Sequence, residues 1–382
     1  MRVVASGLVY DGRAHPPHGR ACRRTTLALT ADGTVLVSFR RGSAQRSIDG
    51  HPVVLASSDL GRSWTIRYDG HGRTALEGVP GEMLAYCIAE PAPGALLATS
   101  FWIDHSDPGR PFQNPVTGGF LPMRIFHVRS EDGGRSWSEP RIMDTRPHTA
   151  ATPETNAAFR VAGGTVVQPH GLWKEYDDPG VPQAGPYLRF SHDDGATWPE
   201  WLRVAKHPVE TTFYWDQRLA IHPDSGRLVN VFWTRDSLAE RDLDAHVSWG
   251  SPDARTWTAP VPIGLPAQYF QPVALGGDRL AGVWADRALP GVVVSLSDDF
   301  GRTWRRADDL VLHRSGPHAA ASPSAPRPAG LEGASTYIGD AIAGYTFGHP
   351  RAALLPTGEL LVVWYSGDDT GMDVRWARVA LA

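Results

Sequence analysis

The chain has 382 residues, 42% hydrophobic and 20% charged, with a net charge of −4, 40 Gly, 32 Pro and 14 Trp. The absence of any Lys/Arg block argues against a nucleic-acid or anionic-membrane surface. Two cysteines, Cys22 and Cys87, are too few for a disulfide framework, although one bridge between them stays open. Gly and Pro at this level, spread along the chain, suit an all-β protein with many turns. The opening MRVVASGLVYDG lacks the apolar core of a signal peptide, and no run approaches a membrane span. The sequence as given therefore reads as cytoplasmic, or as secreted if a leader has been trimmed.

In chain order, an apolar run at 3–9 comes first. A hairpin at 25–43, turning at Asp32-Gly33, precedes a strand at 53–56 and the segment SSDLGRSW at 57–64. The succession returns with a hairpin at 84–102 turning at Pro93-Gly94, a strand at 124–128 and SEDGGRSW at 130–137. It returns again at 156–173, with a strand at 187–190 and SHDDGATW at 191–198. Next come a hairpin at 217–236 and a worn copy of the segment, SPDARTW at 251–257, one residue short and lacking the Gly. A hairpin at 270–287 leads to a strand at 292–295 and SDDFGRTW at 297–304. The chain then runs through 349–368 and VRWARVAL at 374–381 without a further copy.

Four copies fit Ser-x-Asp-x-Gly-x-Ser/Thr-Trp, which marks a repeat architecture. The residue types describe a β-turn followed by an anchor. Asp accepts backbone N–H bonds across the turn, and Gly takes positive φ without a Cβ clash. The hydroxyl closes the loop onto its own backbone, and Trp starts the next strand with a large area to bury. The tryptophans of the five copies, at 64, 137, 198, 257 and 304, are 73, 61, 59 and 47 residues apart. Such spacing suits four-stranded units with the excess in loops.

The repeat resembles the Asp-box, or bacterial neuraminidase repeat, of the sialidase-like six-bladed β-propellers. The resemblance implies an all-β fold, a six-bladed β-propeller of four-stranded antiparallel blades forming a single domain over 1–382. The strand at 3–9 is expected to pair into the last blade and latch the ring, leaving no free sheet edge. In that family the boxes lie on the rim, so Asp59 and Asp299 read as turn staples rather than site residues. Three stretches, 103–121, 173–186 and 315–344, exceed the repeat. Loops this long are functional or disordered; two are expected to border a ligand site, and the Ala/Pro/Ser-rich third to be partly mobile.

Inner strands converge on the propeller axis, so their ends form a ring at one face. Counting back about ten residues from each turn gives Arg23, Tyr86, Glu154, Asp216, Gln271 and His349 for that ring. The returning strands deliver Arg40, Trp102, His170, Arg235, Arg287 and Tyr365. Charged residues there are not needed to fold a sheet, and a set of them converging on one funnel suggests a ligand site. Arg23 stands nine residues before Asp32, and Asp49 stands 26 after Arg23. The resemblance implies that Arg23, Arg235 and Arg287 grip a sugar carboxylate, a task suited to the planar guanidinium fork. It implies that Asp49 is the general acid/base and that the nucleophile is a Tyr. The position that should open blade 6 holds His349, and Tyr345, four residues earlier, is the candidate nucleophile, assisted by Asp216 or Glu154. His349, Arg40 and Tyr86 complete the expected substrate-binding set.

The implied activity is that of an exo-glycosidase releasing a terminal acidic sugar, of sialic-acid type, from a glycoconjugate. No cofactor or metal is expected, and the partner is a carbohydrate substrate rather than nucleic acid or membrane; the oligomeric state is open. The residues also leave open a related carbohydrate enzyme without a Tyr nucleophile, either an inverting hydrolase or a lyase. There Asp49, Glu154 and Asp216, with His170 or His349, would move the protons. A non-catalytic propeller that binds a glycan or a protein is the third reading.

Overall fold

Burial on both faces explains the continuous apolar runs in the sequence. The second strand of each repeat, for example Val35–Arg41, Val166–Leu172 or Leu360–Asp368, is buried along all or nearly all of its length. Such a strand needs no polar face and reads as a run rather than an alternation. The computed structural model describes residues 1–15, 21–44, 46–152, 156–237, 239, 241–288, 291–315, 346–368 and 371–381. Glu154, Tyr345 and most of the third long stretch (316–344) fall outside the described residues.

After β1 (Arg2–Tyr10), blade 1 consists of β2 (Arg23–Leu29), β3 (Val35–Arg41), β4 (His51–Ser57) and β5 (Thr65–Asp69). Blade 2 has β6 (Gly81–Met83), β7 (Cys87–Ala92), β8 (Ala95–Asp104), β9 (Met123–Ser130) and β10 (Arg141–Ile142). Blade 3 has β11 (Ala151–Thr152), β12 (Phe159–Arg160), β13 (Val166–Leu172), β14 (Gly185–Ser191) and β15 (Glu200–Arg203). Blade 4 is β16 (Thr212–Ile221), β17 (Leu228–Asp236), β18 (Arg241–Gly250) and β19 (Val261–Pro262). Blade 5 is β20 (Ala267–Gly276), β21 (Arg279–Asp286), β22 (Gly291–Ser297) and β23 (Leu310–Arg314). Blade 6 is β24 (Phe347–Leu354), β25 (Leu360–Asp368) and β26 (Gly371–Ala380), with β1 as its outermost strand.

The result is a six-bladed β-propeller of four-stranded antiparallel blades. The inner strands of blades 2 and 3 are each broken in two, both pieces pairing with the same neighbour. Strand β1 runs along β26 from Arg2↔Ala380 to Tyr10↔Val374, so the last blade takes one strand from the N-terminus and the ring is latched as expected. Hydrophobic clusters fill the spaces between adjacent blades, as where Leu36, Val54 and Ala56 of blade 1 meet Ile88, Leu96 and Trp137 of blade 2. Cys22 and Cys87 are both buried, and the bridge left open by the sequence is not formed between them. No helix among the described residues is long and apolar enough to cross a membrane.

The four intact repeat turns fold alike. In the first, Ser57 Oγ donates to Asp59 Oδ1 at 2.7 Å and accepts from Gly61 N at 2.8 Å. Asp59 Oδ1 accepts from Arg62 N and Ser63 N at 3.0 and 2.9 Å, and Ser63 Oγ donates to Oδ2 at 2.7 Å. Asp132, Asp193 and Asp299 take the same serine, threonine and backbone donors in their own turns. Each Trp then enters the space between its own blade and the preceding one, Trp137 and Trp304 among them.

Candidate active site

The inner strands carry a defect at one level of the ring. Register shifts interrupt β2 between Arg23 and Thr26, β16 between Trp215 and Arg218, β20 between Gln268 and Gln271, and β24 between Gly348 and Arg351. Within each bulge one non-glycine residue takes positive φ: Arg24 at 61°, Asp216 at 46°, Tyr269 at 54° and His349 at 44°. That conformation costs an L-residue roughly 1–2 kcal/mol, and bulges re-aim side chains next to functional sites. Four blades thus carry backbone strain at equivalent places, with a chemically different side chain at each.

These side chains meet at the axis. The Tyr269 ring stacks on His349 at 3.9 Å between centroids, with Trp233 at 6.1 Å from Tyr269 and Tyr365 at 6.0 Å from His349. Arg23 Cζ lies 5.7 Å from the centre of the Tyr365 ring, and Arg287 Cζ lies 5.8 Å from that of Tyr269. Arg287 is fixed by Nε donating to Gln268 Oε1 at 2.5 Å and Nη1 donating to the Phe347 carbonyl at 2.9 Å. Gly348 permits this closeness, since a Cβ there would sit 2.9 Å from Arg287 Nη2 and 3.0 Å from Tyr365 Oη.

Several guanidinium groups act on the same centre. Burial, followed by Arg24, Arg218, Arg287 and Arg23, holds the His349 imidazole well below its ordinary pKa, so it is neutral at physiological pH. Burial also lowers Arg23; Tyr365 and Tyr269 oppose that shift, while Arg40 and Arg287 add to it. Asp216 goes the other way: burial raises its carboxyl, against the pull of Arg218 and Arg24, and Arg218 Nη2 donates to its Oδ1 at 3.3 Å. Blades 1, 4 and 5 therefore do send arginines toward one centre, but the contribution of blade 4 to His349 is Arg218. Arg235, expected in that role, lies at the end of β17 with Nη1 donating to Asp242 of its own blade at 2.9 Å.

Asp49 lies on the loop between β3 and β4, where its carboxylate accepts from Ser43 N at 3.0 Å and Ser43 Oγ at 2.9 Å. Behind that loop Arg40, 1% exposed, donates to the carbonyls of Ala44 and Ser47 at 2.8 and 3.0 Å and to Glu82 Oε2 at 2.5 Å. Arg40 is thus a post under the Asp49 loop rather than the substrate grip expected of it. Burial pushes Glu82 up, but Arg40, His105 and Arg46 outweigh it and hold the carboxyl at about 2. Arg46 covers the Phe112 ring at 4.0 Å and is pushed down to about 9, by burial first and then by Arg24. Through Phe112 the loop at 103–121 reaches this group, and Asn114 Nδ2 ties it to the loop at 173–186 at the Tyr176 carbonyl, 3.0 Å away.

Tyr86 is not at the mouth. Its ring stacks against Tyr68 at 5.8 Å and meets the Trp137 edge at 5.1 Å, inside the core between blades 1 and 2. The break between β6 and β7 turns it there, leaving its carbonyl to accept from Thr26 Oγ1 at 2.6 Å. His170 is likewise fully buried, stacked on Tyr187 at 5.8 Å. Glu154 and Tyr345 lie outside the described residues. Sequence reasoning passed over Arg24, Arg46, Glu82, Arg218 and Tyr269; of these only Arg24, in the doublet with Arg23, adjoined a residue already singled out. No three His, Cys, Asp or Glu side chains among the described residues are gathered so as to hold a metal ion.

No protein-family model and no curated protein matches the sequence. Solved structures do match its shape. A protein of unknown function from Dyadobacter fermentans superposes with a TM-score of 0.73 at 17% identity, over 100% of this chain and 99% of that one. A Hadza microbial sialidase gives 0.66 at 18% identity, over 98% of this chain and 68% of that one. This chain shares the fold of that sialidase. An α-L-arabinofuranosidase from Fusarium graminearum, in complex with an iminosugar inhibitor, shares the architecture at a TM-score of 0.63 and 13% identity, over 100% and 99% of the two chains. The mouth of this propeller offers four guanidinium groups, two phenols, a neutral imidazole and a carboxyl group that burial favours in its protonated form. Such a set can hold an anion and move a proton beside it.

Proposed function

We propose that this propeller is an exo-glycosidase that releases a terminal acidic sugar, of sialic-acid type, from a glycoconjugate. The observation that carries the reading is the convergence of Arg23, Arg24, Arg218 and Arg287 on His349. So many guanidinium groups around a neutral imidazole suit a carboxylate ligand, which several planar forks fix in position. The structural likeness to a sialidase, and to a Ruminococcus gnavus intramolecular trans-sialidase in complex with oseltamivir carboxylate, agrees with that choice. In this reading Asp49 is the general acid/base, and a tyrosine attacks the anomeric carbon because an anionic carboxylate would be repelled by an anionic substrate. Tyr345 is the candidate from the sequence; Tyr365, whose hydroxyl would meet a Cβ on Gly348 beside Arg287, is the candidate among the described phenols. Asp216 or Glu154 assists.

A fluorogenic sialoside tests the proposal, with a fluorogenic arabinofuranoside alongside it. Turnover of the sialoside is expected, with kcat/KM lowered about 10²-fold or more in Arg287→Ala, since truncating one partner of a buried charge pair costs about 2–5 kcal/mol. Failure of the folded wild-type protein to cleave or bind any acidic glycoside would sink the reading, as would arabinoside cleavage indifferent to Arg287. One observation favours a second route: burial raises Asp216, as a general acid needs. A hydrolase working with Asp216 as acid and Asp49 as base would invert the anomeric centre. The configuration of the first-formed product, read by NMR, separates that route from the tyrosine one.

A further inference from the structure

Beneath the bulges the inner strands present a second polar tier, two residues deeper in each case: Thr26 after Arg24, Arg218 after Asp216, Gln271 after Tyr269 and Arg351 after His349. This tier borders an axial cavity of about 250 Å³ whose polar lining comes from Thr26, Cys87, Asn156, Gln271 and Arg351. The cavity falls below the 300 Å³ or so at which small-molecule pockets begin, yet it exceeds several times the roughly 30 Å³ share of one water.

Arg351 is the unusual member. It is 8% exposed, and its Nη1 donates to Gln271 Oε1. Nε and Nη2 are shut off from solvent as well, and neither has an acceptor among the described residues. No carboxylate among the described residues lines the cavity. The other guanidinium of this tier, Arg218, is fully buried and pairs with Asp216, one level above, at 3.3 Å. Its Nη1 donates at 3.4 Å to Asn156 Oδ1, on a side chain that also lines the cavity. Arg351 has no carboxylate partner among the described residues. A cation removed from water without a counter-charge carries a heavy desolvation penalty. The unused Nε–Nη2 edge is the two-donor side of a guanidinium that binds anions best.

We propose that Arg351 holds a small monovalent inorganic anion in the axial cavity, as a resident counter-ion separate from any ligand at the mouth. Chloride fits the room and needs no further donors beyond the guanidinium edge and neighbouring water. Its place, two residues below His349 on the same strand, makes it a support for the β24 bulge rather than a reactant. The inference does not depend on the sugar-cleaving reading, because neither Arg351 nor any residue lining the cavity has a role in that reading.

Bromide is the probe. Crystals of the full chain soaked in sodium bromide should show an anomalous peak within hydrogen-bonding reach of Arg351 Nε and Nη2. In solution, replacing gluconate by chloride at constant ionic strength should raise the thermal midpoint of the wild type by about 2–4 °C, as a ligand bound only by the folded state does. The midpoint of Arg351→Met should not respond. A cavity holding water alone, bromide found only at the mouth, or an Arg351→Met variant with an undiminished chloride response would overturn the proposal. Should that variant fail to fold, the anomalous map of the wild type decides by itself.

Discussion

The rim and the mouth of this propeller use the same repeat in opposite ways. At the rim the repeat is copied: Asp59, Asp132, Asp193 and Asp299 sit in the same turn with equivalent donors, and all four are lowered. Each turn satisfies itself, so its energy is local and its chemistry is spent on holding a hairpin. At the mouth the backbone is copied and the side chain is not: equivalent bulges present Arg24, Asp216, Tyr269 and His349. Asp216 accepts from Arg218 Nη2 of its own strand at 3.3 Å, while the Tyr269 ring stacks on His349 of the next blade. The shifts of Asp216 and His349 come from burial first and then from arginines, Arg218 and Arg24 acting on both. Repetition of residue type marks a structural device here, and repetition of geometry with varied residues marks a chemical one.

The contrast is broken most sharply at Asp49. Asp49→Asn should lower kcat on an acidic glycoside by about 10²–10⁴-fold, as loss of a general acid does. The unfolding midpoint should scarcely move, because an amide oxygen still accepts from Ser43. Equal loss of stability and activity would make Asp49 a loop staple only. Glu82→Gln works behind the same loop. It leaves Arg40 buried without its counter-charge, which should cost about 3–5 kcal/mol of stability in urea unfolding. With its carboxyl held at about 2 in the fold, Glu82 contributes stability that is fully present above the unfolded value of about 4.3 and is lost as the pH falls toward 2. The Glu82→Gln variant should therefore be less sensitive to acid than the wild type.

These two regions were not equally legible beforehand. The rim was read in full, since four copies of one turn need no tertiary information, and the latch of β1 onto β26 followed from six units and a spare strand. The mouth was read by counting along strands, which succeeded for Asp216 and His349. It stopped one residue short of Arg24 and two beyond Tyr269, because each bulge inserts residues that a regular strand lacks. Tyr86 was misplaced for a related reason: the inner strand of blade 2 is broken, and its ring turns into the core. Glu82 carried no signal at all. Its importance comes from Arg40, 42 residues away in the chain, and only the folded blade brings the two together.

The smallest expected effect is at the rim and bears on whether the turns are as self-contained as they look. Asp132 accepts from Arg135 N at 2.9 Å, Ser136 N at 3.0 Å, Ser136 Oγ at 2.6 Å and Ser130 Oγ at 2.8 Å, all within one turn. The turn is exposed, so water replaces most of what Asp132→Ala removes, and the cost should be about 1–2 kcal/mol, a few degrees in thermal midpoint. Activity at neutral pH should be unchanged. The pH dependence gives the sharper reading. The hydrogen bonds from Ser136 hold the folded carboxyl well below its usual range, so its contribution is present above the unfolded value near 3.9 and disappears as the pH falls below it. Between pH 5 and pH 3 the wild type should therefore lose more of its thermal midpoint than the variant does. If both lose the same amount, the rim carboxylate is not stabilised by its own turn, and the separation of rim from mouth fails at the point where it looks most secure.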